Sequence, residues 1–275
     1  MKVKYILYSI VFYCTACNSS NLQVKSPVGY DLSKAEKFAM PEVLHEISGI
    51  AFNNDSIYAE QDEEGKVFHF KLGDKDMITS KFGKKGDYED ISICNNKIVV
   101  LKSDGSLYSF PLTEAGNKEI VNVQEWKGLV PEGEYEGMYA DAANNLLYVL
   151  CKHCSDDKEL NGYTYRLSAD SIIAAGSFSV DIKSIASTTG EKKIKFHPSA
   201  LAKNPITNEW YILSSVNKLL VTTDSNWKVT AGYPLPASLF IQPEGITFDK
   251  SGNLYISNEG GDTGQGTILK FTLKK

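Results

Sequence analysis

Tyr135-Glu-Gly-Met138, followed one turn later by Leu146-Leu-Tyr-Val-Leu150, is a unit that this chain repeats. The same core recurs as Ile47-Ser-Gly-Ile50, Tyr88-Glu-Asp-Ile91, Pro198-Ser-Ala-Leu201 and Pro243-Glu-Gly-Ile246. Each core leads through a turn into an apolar strand, then through a second turn into a third strand ending near Phe or Leu. With Ser48, Glu89, Glu136, Ser199 and Glu244 taken as equivalent, the spacings are 41, 47, 63 and 45 residues. The long interval holds two polar insertions, residues 154–162 and 183–193. Runs such as Lys66-Val-Phe-His-Phe-Lys-Leu72 and Asn253-Leu-Tyr-Ile-Ser257 alternate with period 2, and no long stretch has helical periodicity. The class is therefore all-β. Repeats of this length, about 49 residues, are the mark of a five-bladed β-propeller.

The last repeat runs out of chain after its third strand, which would leave an open edge. Residues 29–34 precede the first repeat and belong to none, so they are expected to close the ring as the outer strand of the final blade. Asp55, Asp104, Asn144-Asn145 and Ser251-Gly252 read as hairpin turns, and the aromatics at matching strand positions, Phe68, Phe110, Tyr148, Tyr211, Tyr255 and Phe271 among them, read as packing between blades.

The remaining composition narrows the function. The chain has 275 residues, 42% hydrophobic and 23% charged, with a formal charge of −5, which is the balance of a folded globular protein. Arg166 is the single arginine, so neither a basic nucleic-acid surface nor a bidentate phosphate clamp is expected. No lysine cluster stands out, which argues against highly phosphorylated substrates. At the N-terminus, Lys2 and Lys4 precede an apolar run from Tyr5 to Tyr13 and then Cys14-Thr15-Ala16-Cys17. This is a secretory pattern, too short for a membrane anchor. Cys17 after Ala16 resembles the lipidated cysteine of bacterial lipoproteins. Residues 1–16 are then a signal peptide, residues 17–28 a polar tether and residues 29–275 the propeller. A monomer in the bacterial cell envelope, held to the membrane by its lipid alone, is the expected form.

His45-Glu-Ile-Ser-Gly-Ile50, Asp62-Glu-x-Gly65, Gly86-Asp-Tyr-Glu-Asp-Ile91, Tyr135-Glu-Gly137, His197-Pro-Ser199, Gln242-Pro-Glu-Gly-Ile246 and Ser257-Asn-Glu259, in that order, resemble the SdiA-regulated family. The resemblance spans the chain from Gly29 to its end. It implies a five-bladed propeller akin to NHL-repeat proteins, with a bound calcium and no established reaction.

In a propeller blade the innermost strand lines the axis and the second strand returns antiparallel, so starts of first strands and ends of second strands share one face. The start positions carry Glu89, Glu136 and Glu244. Two residues earlier, on the same side of a strand, stand Glu46, Asp87, Glu134 and His197. Returning strands deliver Asp62, Glu63, Lys152, Asn258 and Glu259 to the same end. So many carboxylates cannot all remain ionised without a partner; they protonate or recruit a cation. Hard oxygens from several strands suit Ca²⁺, with Glu46, Glu89, Glu136 and Glu244 as the expected ligands. The alternative is a structural network in which the carboxylates accept backbone N–H groups across blades. Asp62, Glu63, Asp87, Lys152, His197, Ser199, Asn258 and Glu259 are then the candidate ligand-binding residues of the channel face.

Cys151-Lys-His-Cys154 lacks enough further Cys and His for a zinc site and reads as a strand-end and a loop cysteine, with a disulfide as the alternative. Ser199 has no nucleophile elbow around it. Two functions are open: a calcium-containing propeller that binds a small ligand or partner, and a calcium-dependent hydrolase of a phosphodiester, ester or lactone with His197 or a carboxylate as base.

Overall fold

The computed structural model describes residues 24–154, 158–168, 170–262 and 264–274. The expected signal peptide, the lipidation site Cys17 and the tether up to residue 23 lie outside the described residues. Among the described residues no helix is long and apolar enough to cross a membrane.

Five four-stranded antiparallel sheets follow one another around a ring, a five-bladed β-propeller. Blade 1 is β2 (Ile47–Asn53), β3 (Ser56–Gln61), β4 (Glu64–Phe70) and β5 (Ile78–Lys81). Blade 2 is β6 (Tyr88–Cys94), β7 (Lys97–Lys102), β8 (Leu107–Pro111) and β9 (Gln124–Trp126). Blade 3 is β10 (Glu134–Asp141), β11 (Leu146–His153), β12 (Glu159–Leu167) and β13 (Ile172–Asp181). Blade 4 is β14 (Ala200–Lys203), β15 (Trp210–Ser214), β16 (Leu219–Thr223) and β17 (Val229–Pro234). Blade 5 joins β18 (Pro243–Phe248), β19 (Leu254–Asn258) and β20 (Thr267–Phe271) to β1 (Glu36–Ala39) from the other end of the chain. The hairpin turns fall where expected, with Asn54, Asp55 and Asn145 at φ of 47°, 62° and 53° and Gly252 at 82°.

The ring closes as expected in kind but not in place. The closing strand is Glu36–Ala39, paired with β20 from Glu36↔Lys270 to Ala39↔Thr267, and not residues 29–34. The reason is local: Asp31 Oδ1 accepts Ser33 N at 3.2 Å and Asp31 O accepts Lys34 N at 3.0 Å, so this stretch is spent on turns. It seals the blade 4–blade 5 boundary instead. Tyr30 and Leu32 are buried among Leu213, Leu220, Ile246 and Leu254, and Tyr30 Oη donates to Gly252 O at 2.5 Å. At the end of the expected tether, Val24 packs on that cluster and Lys25 Nζ stands 5.3 Å from the Tyr233 ring.

The apolar clusters lie mostly between neighbouring blades, as in Ala51, Tyr58 and Val67 of blade 1 against Tyr88, Ile91 and Ile98 of blade 2. The polar insertion at 183–193 holds a short helix that period-2 reading missed, α1 (Ile182–Thr189). Asp181 caps its N-terminus through Lys183 N and Ser184 N, Gly190 ends it at φ 77°, and Ile182, Ile185 and Ala186 are its buried face.

Candidate functional site

The repeated core makes a bulge. In blades 2, 3 and 5 the register of the innermost strand passes from Tyr88 to Asp90, from Tyr135 to Gly137 and from Pro243 to Gly245. Glu89, Glu136 and Glu244 are left without cross-strand partners, which is how a bulge turns a side chain out of the ladder. The glycine that follows has a separate reason. A Cβ on Gly245 would stand 2.5 Å from Ser48 O, and one on Gly137 3.1 Å from the backbone of Ala200 and Leu201. The next blade's backbone occupies that space.

Blades are stitched together at the same level. Ser48 Oγ donates to Glu89 O at 2.9 Å, Ser199 Oγ to Pro243 O at 2.9 Å and Ser257 Oγ to Ser48 O at 2.6 Å. Asp90 Oδ2 accepts Met138 N from blade 3 at 2.6 Å while Oδ1 accepts Ile91 N at 2.8 Å. One carboxylate, Asp90, thus accepts a backbone N–H from the neighbouring blade, and it is not one of the bulge glutamates. Ser199 is a hydroxyl counterpart of that link.

Above this layer opens a cavity of about 470 Å³. Glu89, Glu136 and Glu244 line it from the bulges, and Asp62, Lys152 and Glu259 from the returning strands or just beyond them. Asp87, His197 and Ser199 complete the part anticipated from the sequence. Ser215, Val216 and Lys218 also line it and carried no repeat signal, since they sit in the β15–β16 turn. Gln242 enters beside them, with Nε2 donating to Glu259 Oε2. Four anticipated residues stand off the cavity, the exposed Glu134 among them. Glu63 is exposed, Asn258 is buried within blade 5 with Nδ2 on Thr267 Oγ1 at 3.5 Å, and Glu46 lies at the rim with His45 Nε2 3.3 Å from its Oε1.

Two electrostatic arrangements share this space. In the first, Lys152 Nζ donates to Glu136 Oε1. Burial alone would lower the Lys152 pKa, but the Glu136 bond and charge, with Glu89 and Glu244, raise it. Glu136 itself is raised, burial outweighing Lys152. Burial, then the Glu136 charge, pushes Glu89 up to about 9 and Glu244 to about 7. Deeper still, Glu60 is fully buried with Oε1 accepting Gly49 N at 2.6 Å and Oε2 without a partner; burial holds its pKa well above the usual carboxylate range. Glu60 is not singled out in the sequence: it shares a strand face with Ser56 and Tyr58 and so breaks no apolar pattern.

In the second, Glu46, Asp62 and Glu259 each place a carboxylate oxygen within 4.8 Å of the other two. Asp62 Oδ1 is buried and has no hydrogen-bond partner. Burial and then the Glu46, Glu63 and Asp87 charges raise Asp62 to about 6, and burial with the Glu244, Glu46 and Asp62 charges raises Glu259 to about 8. Among the described residues this is the one trio of carboxylate, His or Cys donors close enough to share an ion. Its hard oxygens and its unsatisfied Asp62 atom fit calcium. Of the four expected ligands it includes Glu46; Glu89, Glu136 and Glu244 surround Lys152 instead.

His197 has its Nδ1 buried without a partner, its ring 4.4 Å from that of His153, and a pKa lowered by burial and then by His153 and Lys152. His153 Nδ1 in turn meets Glu134 Oε2 at 2.7 Å. Cys151 and Cys154 form a disulfide at the end of β11, with Cα atoms 6.0 Å apart, where the sequence favoured two separate thiols. That Cα separation lies in the range a disulfide spans, a distance that spacing alone does not reveal. The expected absence of a lysine cluster is also corrected: Lys183, Lys192, Lys193 and Lys195 gather at a second cavity beside the first.

Solved structures similar in fold include Myxococcus xanthus glutaminyl cyclase, 13% identical with a TM-score of 0.59 over 87% of this chain and 94% of that one. A calcium-binding protein, regucalcin, from Agrobacterium tumefaciens strain C58 is 11% identical with a TM-score of 0.53, over 86% and 93%. A luciferin-regenerating enzyme is 9% identical with a TM-score of 0.53, over 87% and 95%. At these identities the likeness is one of fold. No curated protein sequence matches the chain. The family model described as SdiA-regulated matches residues 29–261, which takes in blades 1 to 4, the strands β1, β18 and β19 of blade 5 and every carboxylate of the mouth, and the chain belongs to the SdiA-regulated family.

Proposed function

We propose that this protein is an exported, lipid-anchored β-propeller that holds calcium at the mouth of its channel and there binds a small ligand or a partner protein. The observation that carries the metal is the Glu46–Asp62–Glu259 trio, with oxygens within 4.8 Å and Asp62 Oδ1 buried and unsatisfied. A propeller of similar fold, the Agrobacterium regucalcin, is a calcium-binding protein. Calcium there would neutralise the crowded carboxylates and offer a positive centre to a ligand oxygen. Glu46, Asp62 and Glu259 would hold it, Gln242 fixes Glu259, and Lys152 keeps Glu136 turned toward its own ammonium. Binding is favoured over hydrolysis because the candidate base His197 lies tilted against His153, with no carboxylate or hydroxyl on its Nδ1.

Export is supported by the Lys2-to-Cys17 pattern and by the Cys151–Cys154 disulfide, a bond of oxidising compartments. The test of the metal is calorimetric titration of chelator-treated protein with calcium, alongside its melting temperature. Saturating calcium at a hundredfold excess over Kd should stabilise the fold by about 2.7 kcal/mol. No binding heat and no change in melting would overturn the proposal.

A further inference from the structure

The cavity beside the mouth is the larger of the two, about 860 Å³, and the function just described does not use it. It lies between the end of β11, the start of β12 and the helical insertion. Its floor is apolar: Leu160, Ile182, Ala186 and Phe196 are buried, and Ile194 is half-buried. Its rim is cationic. Lys183, Lys192, Lys193 and Lys195 line it, all exposed, and none of the four is within 4.0 Å of a carboxylate in any salt bridge among the described residues. Of the carboxylates that line it, Asp181 spends its oxygens on Lys183 N, Ser184 N and Ser184 Oγ, leaving Glu159 against the lysines. Lys152 and His197 line both cavities, so one wall separates an acidic chamber from a basic one. The Cys151–Cys154 disulfide pins that wall.

We infer that this second cavity binds an amphiphilic organic anion, with its apolar body on the Leu160–Ile182–Phe196 floor and its carboxylate or phosphate on the Lys192–Lys193–Lys195 rim. Both halves are needed. A small inorganic anion would leave the apolar floor in water, and a neutral apolar molecule would gain nothing from the lysines. The volume is that of a site for one drug-sized ligand, mostly apolar with a few polar groups that fix orientation. The acidic mouth next door repels the anion and directs its charged end to the lysine side.

Dodecanoate is a suitable probe, used below its micelle concentration with the full chain carrying Cys17→Ala so that no attached lipid competes. Isothermal titration should show one saturable site, weakened by added salt. Lys192→Ala, Lys193→Ala and Lys195→Ala together should raise Kd about tenfold while melting stays as in the parent, since all three side chains are exposed. Ile194→Asp should weaken binding through the floor. Chelator should leave dodecanoate binding unchanged, which separates this site from the calcium site. Absence of saturable binding would overturn the inference, as would an unaltered Kd in the triple variant. Equal affinity for neutral dodecyl maltoside, or for inorganic phosphate alone, would overturn it too.

Discussion

Lys152 Nζ donates to Glu136 Oε1 inside the same blade, so the chain supplies its own cation to one half of its acidic channel mouth. Its pKa is raised by Glu136, Glu89 and Glu244, the three bulge glutamates. That internal pairing separates the mouth into a self-neutralised set and a set, Glu46, Asp62 and Glu259, in which burial and neighbouring carboxylates raise Asp62 and Glu259.

The division predicts which substitutions affect calcium. Asp62→Asn removes a donor from the crowded trio and should abolish most of the calcium-dependent rise in melting temperature. Glu89→Gln, on the lysine side, should leave that rise within about a degree of the parent. A calcium response lost in Glu89→Gln and kept in Asp62→Asn would place the ion among the bulge glutamates.

Lys152→Met should be among the most damaging single changes at the mouth. It leaves Glu136 buried without its partner, and breaking a buried pair from one side costs about 3–5 kcal/mol. The loss should be larger at pH 8 than at pH 5, because burial raises all three bulge glutamates and they need the ammonium less as protons bind at lower pH. Urea denaturation at the two pH values measures both, and equal losses would show that Lys152 acts through packing alone.

The raised carboxylates set the pH dependence of the metal-free protein. Asp62 near 6, Glu244 near 7, Glu259 near 8 and Glu89 near 9 all bind protons more tightly folded than unfolded. A group with a raised folded-state pKa contributes stability that is full below its unfolded pKa and disappears as pH climbs through the folded one. Stability should therefore fall steadily from about pH 5 to pH 9, with a slope approaching 1.4 kcal/mol per pH unit for each group protonated only when folded. Calcium should flatten the Asp62 and Glu259 part of the slope. Thermal melts in chelator across that range decide it; a stability that rises toward pH 9 would contradict the assignment.

Removal of residues before Met40 should open blade 5. Four ladder positions of β1, the Tyr30–Gly252 bond and the burial of Tyr30 and Leu32 are lost together, which should cost several kcal/mol at about 1 kcal/mol per hydrogen bond plus packing. Removal of residues before Val24 keeps all of these contacts and serves as the reference. The two truncations differ in melting temperature if β1 and the Tyr30 seal close the ring, and melt alike if they do not.

The tether makes a cellular prediction. Cys17→Ala should shift the protein from the membrane fraction to the soluble exported fraction, because a single lost lipid attachment site removes the only anchor proposed for it. Membrane partitioning that survives the substitution would mean that the N-terminal pattern is not a lipoprotein signal.

The repeat from Ile47 to Ile246 determined the architecture on its own, because five short period-2 units that cannot bury their faces alone have few ways to stack. It also determined that Glu89, Glu136 and Glu244 meet Asp62, Lys152 and Glu259, since strand direction decides which ends share a face. What repeats cannot carry was decided in three dimensions. The choice of Glu36–Ala39 over residues 29–34 as the closing strand depended on turns around Asp31. The partition of the carboxylates depended on how far Lys152 reaches, and the Cys151–Cys154 bond on the 6.0 Å between their Cα atoms. The cationic cavity arose from α1 and the Lys192–Lys195 segment, an insertion in one blade that answers to no repeat. Pattern follows from the backbone period common to all blades; charge pairing, disulfides and pockets follow from distances between side chains that the period does not constrain.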